Sequence, residues 1–152
     1  MGKKGFCVSG PALRNLSSHH AIHETGYQEA WEAFELAQKL DKSPPYEGLT
    51  SVVEVFLEIV SARILNHAAE EEQGLYEEWN HKGAIKPAEI AQLTREHDSL
   101  RELARALELR IKEGRYDEVL PQMSRLLETS SIHSRHEESV LMDLEQEERT
   151  ES

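Results

Sequence analysis

HAAEEEQGLYEEW, residues 67–79, decides the fold when it is set against HSRHEESVLM, residues 133–142. The second stretch lies 66 residues after the first. Both carry a histidine, glutamates four and five residues later, and an apolar residue at plus eight. A spacing of four on a helix puts two side chains on one face, one turn apart. His67 with Glu71, and His133 with Glu137, can then share one cation, or each glutamate can bridge two. A lone HxxxE in an acidic chain carries little weight. Two of them, matched in register, read as halves of one duplicated site.

The surrounding chain supplies helices for both halves. DKSPPYEG (41–48), HKGAIKP (81–87) and KEGRYD (112–117) are breaker-rich loops. They separate segments of roughly 11–40, 49–80, 87–113 and 117–147. Pro87 suits a first helical turn and Asp117 an N-cap. At ~1.5 Å per residue each segment is about 40 Å or more as a helix. Short loops between such helices predict an all-α, up-and-down antiparallel four-helix bundle. Residues 1–10 are expected as a flexible segment, 11–147 as the bundle and 148–152 as a flexible tail.

Alternating steps of three and four trace the inward seams. The first runs Leu13, Leu16, His20, His23, Tyr27, Ala30, Phe34, Ala37. The second runs Val53, Leu57, Val60, Ile64, His67, Glu71, Gly74, Glu78, with Leu75 beside it. The third is Ile90, Leu93, His97, Leu100, Ala104, Leu107, Ile111. The fourth is Met123, Leu126, Ser130, His133, Glu137, Val140, Leu144. Histidine interrupts every seam, and in an antiparallel bundle the interruptions fall at one depth. A buried carboxylate is costly unless it is paired or bound to a cation. Imidazole with carboxylate suits iron, manganese or zinc better than calcium.

On the first helix His20 is the preferred ligand. It lies on the seam, and LSSHH (16–20) matches LTREH (93–97), with Leu four residues before the histidine in each. His23, one turn on, is a second-layer partner or an alternative ligand, and His19 is the least favoured of the three. Glu70, Glu72 and Glu138 read as solvated faces, His136 as exposed and His81 as a helix C-terminal residue. Tyr27, Trp31 and Phe34 read as core.

Composition bounds the function. The chain has 152 residues, enough for one core, and a formal net charge of −12. That charge excludes nucleic acid or an anionic membrane as the main partner. Its single cysteine, Cys7, permits no internal disulfide. No apolar run reaches the length of a signal peptide or a membrane span, so a cytoplasmic location is expected. HExxH, CxxC, GxSxG and glycine-rich phosphate loops are missing from the sequence.

The pattern H…HxxxE…H…HxxxE, met by His20, His67 with Glu71, His97, and His133 with Glu137, resembles the hemerythrin-like, or HHE cation-binding, domain. EEQGL after His67, EHD around His97 and HAIH at 20–23 are also similar to the di-iron domain of the Repair of Iron Centres family. The resemblance implies two iron ions joined by an oxo or hydroxo bridge, with manganese or zinc as substitutes. Glu71 and Glu137 would bridge the two ions. His20 and His67 would cap one, and His97 and His133 the other. Oxygen-carrying hemerythrins place two histidines one turn apart on the third helix; here Arg101 stands four residues after His97. A nearly symmetric centre with two histidines per iron is therefore expected. The function implied is binding, sensing or processing of O2, NO or peroxide. The alternative is an iron-handling or iron-sensing module acting through a protein partner. A bundle with one zinc, or with histidines as core filler, is the competing reading from another class.

Overall fold

A computed structural model describes residues 15–40 and 43–151. Cys7, the segment 1–10 and the seam residue Leu13 lie outside the described residues. The described chain is all-helical, with no strand. Helix α1 spans Leu16–Lys39, α2 residues 47–82, α3 Pro87–Lys112 and α4 Val119–Glu151. None is long and apolar enough to cross a membrane. α1 packs on α2 and α4, and α3 packs on α4 and α2.

Local chemistry sets the helix ends. The Asn15 side chain caps α1 by accepting the Ser18 backbone N–H at 3.0 Å. Gly83 ends α2 in the left-handed conformation, at φ 68°, which costs a residue without Cβ least. Pro87 opens α3 in its first turn, as expected. Asp117 is not the cap of α4. It lies inside a 3-10 turn, Tyr116–Glu118, and the α-helix begins at Val119. At the other end α4 runs on through residues 148–151, where a tail was expected.

α2 is one rod with two wide turns. π-helical turns at Val60–Leu65 and Glu71–Leu75 flank the short α-helical piece Asn66–Glu70 that carries His67. Each wide turn rotates the next stretch of chain relative to a regular helix. The buried line therefore departs from the expected seam. Tyr76 and Trp79 are buried where Gly74 and Glu78 were expected, while Leu75 is buried beside the seam as expected; ahead of both wide turns, Phe56 rather than Leu57 is buried.

Two apolar clusters close the bundle interior. The larger joins Ala30, Phe34, Val53, Phe56, Leu107 and Leu126, among others. The smaller holds Leu75, Tyr76, Trp79, Leu93, Val140 and Leu141. Each fully buried Leu or Phe contributes roughly 1.5–3 kcal/mol. Between the clusters along every helix sits a band of buried polar residues: His19, His67, Glu71, His97, His133 and Glu137. Apolar packing above and below holds that band in place.

Candidate metal centre

Five histidines and two glutamates meet in this band. The nitrogens and oxygens of His19, His23, His67, Glu71 and Glu137 lie within 4.8 Å of one another. Those of Glu71, His97, His133 and Glu137 form a second such group. The two glutamates belong to both.

Each carboxylate faces two ways. Glu71 Oε2 lies 2.6 Å from His19 Nε2 and 3.0 Å from His67 Nε2, while its Oε1 lies 3.1 Å from His97 Nε2. Glu137 Oε1 contacts His19 Nε2 and lies 3.3 Å from His23 Nε2. Its Oε2 lies 3.6 Å from His133 Nε2. One oxygen of each glutamate thus turns toward a three-histidine side and the other toward a two-histidine side.

His67, Glu71, His97, His133 and Glu137 all stand where the sequence put them. His20 does not. Its side chain is 56 % exposed and bonded to Glu138 at 2.8 Å, and it belongs to neither group. His19, the least favoured candidate, is fully buried in its place. His23, the alternative, joins it. The expected near-symmetric split of two histidines per side gives way to three and two. The pair one turn apart that was sought on α3 sits on α1, as His19 and His23, whose rings meet edge to face 4.5 Å apart.

An outer ring of carboxylates holds the imidazoles. Glu72 bonds His97 Nδ1 at 2.6 Å, Glu96 bonds His133 Nδ1 at 2.6 Å, and Glu138 bonds His23 Nδ1 at 2.7 Å. Each bond fixes the ring so that Nε2 points inward, an arrangement typical of metal-binding histidines. Glu72 and Glu138, expected as solvated faces, are therefore structural to the site. Glu72 is itself held by Arg101 at 3.1 Å. His136 is partly buried, spanning Glu96 and Glu89. His81 is exposed in the last turn of α2, as expected.

Tyr76 was not foreseen. It is buried, its ring stacks on His97, and its hydroxyl donates to Glu137 Oε2.

The electrostatics require positive charge. Burial alone would lower the pKa of His19, but contacts with Glu137 and Glu71 raise it to about 10. His133 rises to about 10 by the same opposition, through Glu137 and Glu96. Burial pushes Glu137 up, yet Glu71, His133 and His19 bring it well below the usual carboxylate range. Burial and the neighbouring carboxylates raise the Tyr76 hydroxyl, so it stays a proton donor. Imidazolium protons can supply the positive charge, and so can a cation.

The donor set fits a cation better than it fits protons. His67 Nε2 and Glu71 Oε2 are buried and lie 3.0 Å apart without a well-formed hydrogen bond between them. Buried polar atoms normally find partners. Lone pairs that converge without bonding one another are what a metal ion between them would satisfy.

A family model, described as the hemerythrin HHE cation binding domain, matches residues 12–144. Neither curated proteins nor solved structures gave a match.

Proposed function

Since the chain belongs to the hemerythrin HHE cation-binding family, we propose that it is a non-haem di-iron protein that binds, senses or processes O2, NO or peroxide. The observation that carries this reading is the two-sided carboxylate pair. A single-ion site would have no use for glutamates that each turn one oxygen toward a separate set of histidines. His19, His23 and His67 would hold one ion, His97 and His133 the other, with Glu71 and Glu137 between them. Iron bound there supplies redox-active Lewis-acid chemistry, and the same donors would accept manganese or zinc.

The side chains around the centre support a small ligand. A cavity of about 20 Å³ touches both histidine sides and is otherwise lined by Ile64, Leu100, Ser130 and neighbours. That is room for about one water-sized molecule. It suits a diatomic or peroxide. The two-histidine side has one fewer imidazole and so more room for an added ligand. The same reading takes the bundle as up-and-down and antiparallel, supported by the contact of early α1 with late α4, where Glu145 accepts the Leu16 backbone N–H. It takes the location as cytoplasmic.

The test is metal analysis with an optical spectrum of aerobically purified protein. About two irons per chain with a near-ultraviolet oxo-to-iron band is expected. Iron-free protein from iron-replete cells, with the same metal content in Glu71→Ala and Glu137→Ala, would sink the reading.

One observation favours the second reading, an iron-responsive module acting through a protein partner. Two buried carboxylates make the fold's stability depend on what neutralises them. Unfolding with and without chelator, measured beside peroxide turnover, separates the two. Metal-dependent folding without turnover favours the module.

A further inference from the structure

The two oxygens of Glu137 have unlike surroundings. Oε1 meets the imidazoles of His19 and His23. Oε2, on the two-histidine side, accepts a hydrogen bond from the Tyr76 hydroxyl. Glu71 Oε2 faces the imidazoles of His19 and His67, at 2.6 and 3.0 Å.

Tyr76 cannot easily turn away. Its ring is stacked on His97, 5.4 Å between centroids and 8° between planes. On its other neighbour, Trp79, it is stacked at 5.5 Å and 18°. The wide turn Glu71–Leu75 delivers it to this place, and 3 % exposure leaves it no route to water. The hydroxyl is therefore pinned beside Glu137 Oε2, 3.4 Å from His97 Nε2. A hydrogen bond donated to a carboxylate oxygen draws on the lone pairs and charge that would otherwise hold a cation. Here it draws on the side that already has fewer imidazoles.

We propose that Tyr76 is a positioning residue that makes the two cation positions unequal. Its bond to Glu137 Oε2 weakens the hold on an ion beside His97 and His133, so that this position fills second and empties first. The inference rests on the two-ion reading above. It explains how one ion could be exchanged while the other keeps the bundle neutral and folded.

The test is an anaerobic titration of the full chain with Fe(II) against a competing chelator, for wild type, Tyr76→Phe and Trp79→Phe. Phenylalanine keeps the ring and its stacking and removes only the donor. Wild type should bind two ions in two resolved steps. In Tyr76→Phe the second step should tighten by about tenfold or more, the scale of a hydrogen bond to a charged group, with the first step nearly unchanged. Trp79→Phe alters the packing of the Tyr76 ring without touching its hydroxyl and should leave both steps in place. An unchanged second step in Tyr76→Phe overturns the proposal, as does an equal change in Trp79→Phe, which would mark a packing effect. A weakened second step, or a visible charge-transfer band of the ferric protein that vanishes in Tyr76→Phe, overturns it by making the phenol a ligand. If wild type takes up one ion or none, the two-ion reading fails and the inference falls with it. Far-ultraviolet circular dichroism of each variant confirms that the bundle has formed.

Discussion

Stripping the metal should make the stability of this bundle depend on pH in a direction the site fixes. Without a cation, the buried carboxylates of Glu71 and Glu137 lean on protonated His19 and His133. Both histidines are raised from 6.5 to about 10. A group whose folded pKa is raised contributes its full stability below the unfolded value and loses it as pH climbs through the folded one. The loss should therefore run from about pH 6.5 to about pH 10. One histidine shifted this far contributes up to about 5 kcal/mol. The two share Glu137, so their effects do not add, and the pair should contribute on the order of 5 kcal/mol. That is a large part of a typical domain's stability of about 5–15 kcal/mol. The glutamates act with the opposite sign. Their lowered pKa values give stability that is present above about 4.5 and lost in acid. Apo stability should thus peak between about pH 4.5 and 6.5. Urea unfolding followed by circular dichroism, with chelator present from about pH 4 to about pH 10, measures it. In metal-loaded protein the ligating imidazoles are neutral, so the decline above pH 6.5 should vanish and metal uptake should release protons. Apo stability that stays flat or rises from pH 6.5 to 10 would show that the carboxylates are not neutralised by these histidines.

Other substitutions probe the geometry piece by piece. His19→Ala should lower the metal bound per chain, while His20→Ala should leave it near wild type, as read by elemental analysis. Glu96→Gln and Glu72→Gln should keep both ions but weaken their hold by about 10–100-fold, seen in chelator competition, because they loosen the rings of His133 and His97. Gly26→Val should cost about 1–3 kcal/mol in thermal unfolding, since even a Cβ at Gly26 would meet Arg63 Cβ at 3.1 Å. Phe56→Ala should cost about 3–5 kcal/mol through the cavity it leaves in the main core.

The third and fourth helices were legible almost residue by residue. Leu93, His97, Leu100 and Leu107 are buried on α3, and Met123, Leu126, Ser130, His133, Glu137 and Val140 on α4. Both have long apolar repeats at regular helical spacing, which fix the phase. The first helix misled because two phases fit. Three residues before Ala30 stands Tyr27, and that phase leads on to His23 and His20. Four residues before Ala30 stands Gly26, and that phase leads on to His23 and His19. Hydrophobicity favours Tyr27, but the buried residue is Gly26, where α1 and α2 approach so closely that even a Cβ would stand 3.1 Å from Arg63 Cβ. A mid-helix glycine followed by alanines at 30, 33 and 37 was the signal for that phase. The likeness of LSSHH to LTREH pulled the other way. On α2 the period itself changes. No apolar pattern announces a wide turn, so the inward placement of Tyr76 and Trp79, and with it the hydroxyl on Glu137, could not be read from a regular helix. The outer carboxylates were missed for a related reason. Glu72 and Glu138 are one residue off the seam, yet a glutamate is long enough to reach the far nitrogen of an inward histidine on the next helix.

The central claim is a two-ion centre divided three histidines to two. An anomalous-difference map from crystals of the iron-loaded protein tests it most directly. Two peaks are predicted between Glu71 and Glu137, one against His19, His23 and His67 and the other against His97 and His133, with His20 at neither. A single peak, or one coordinated by His20 in place of His19, would contradict the account.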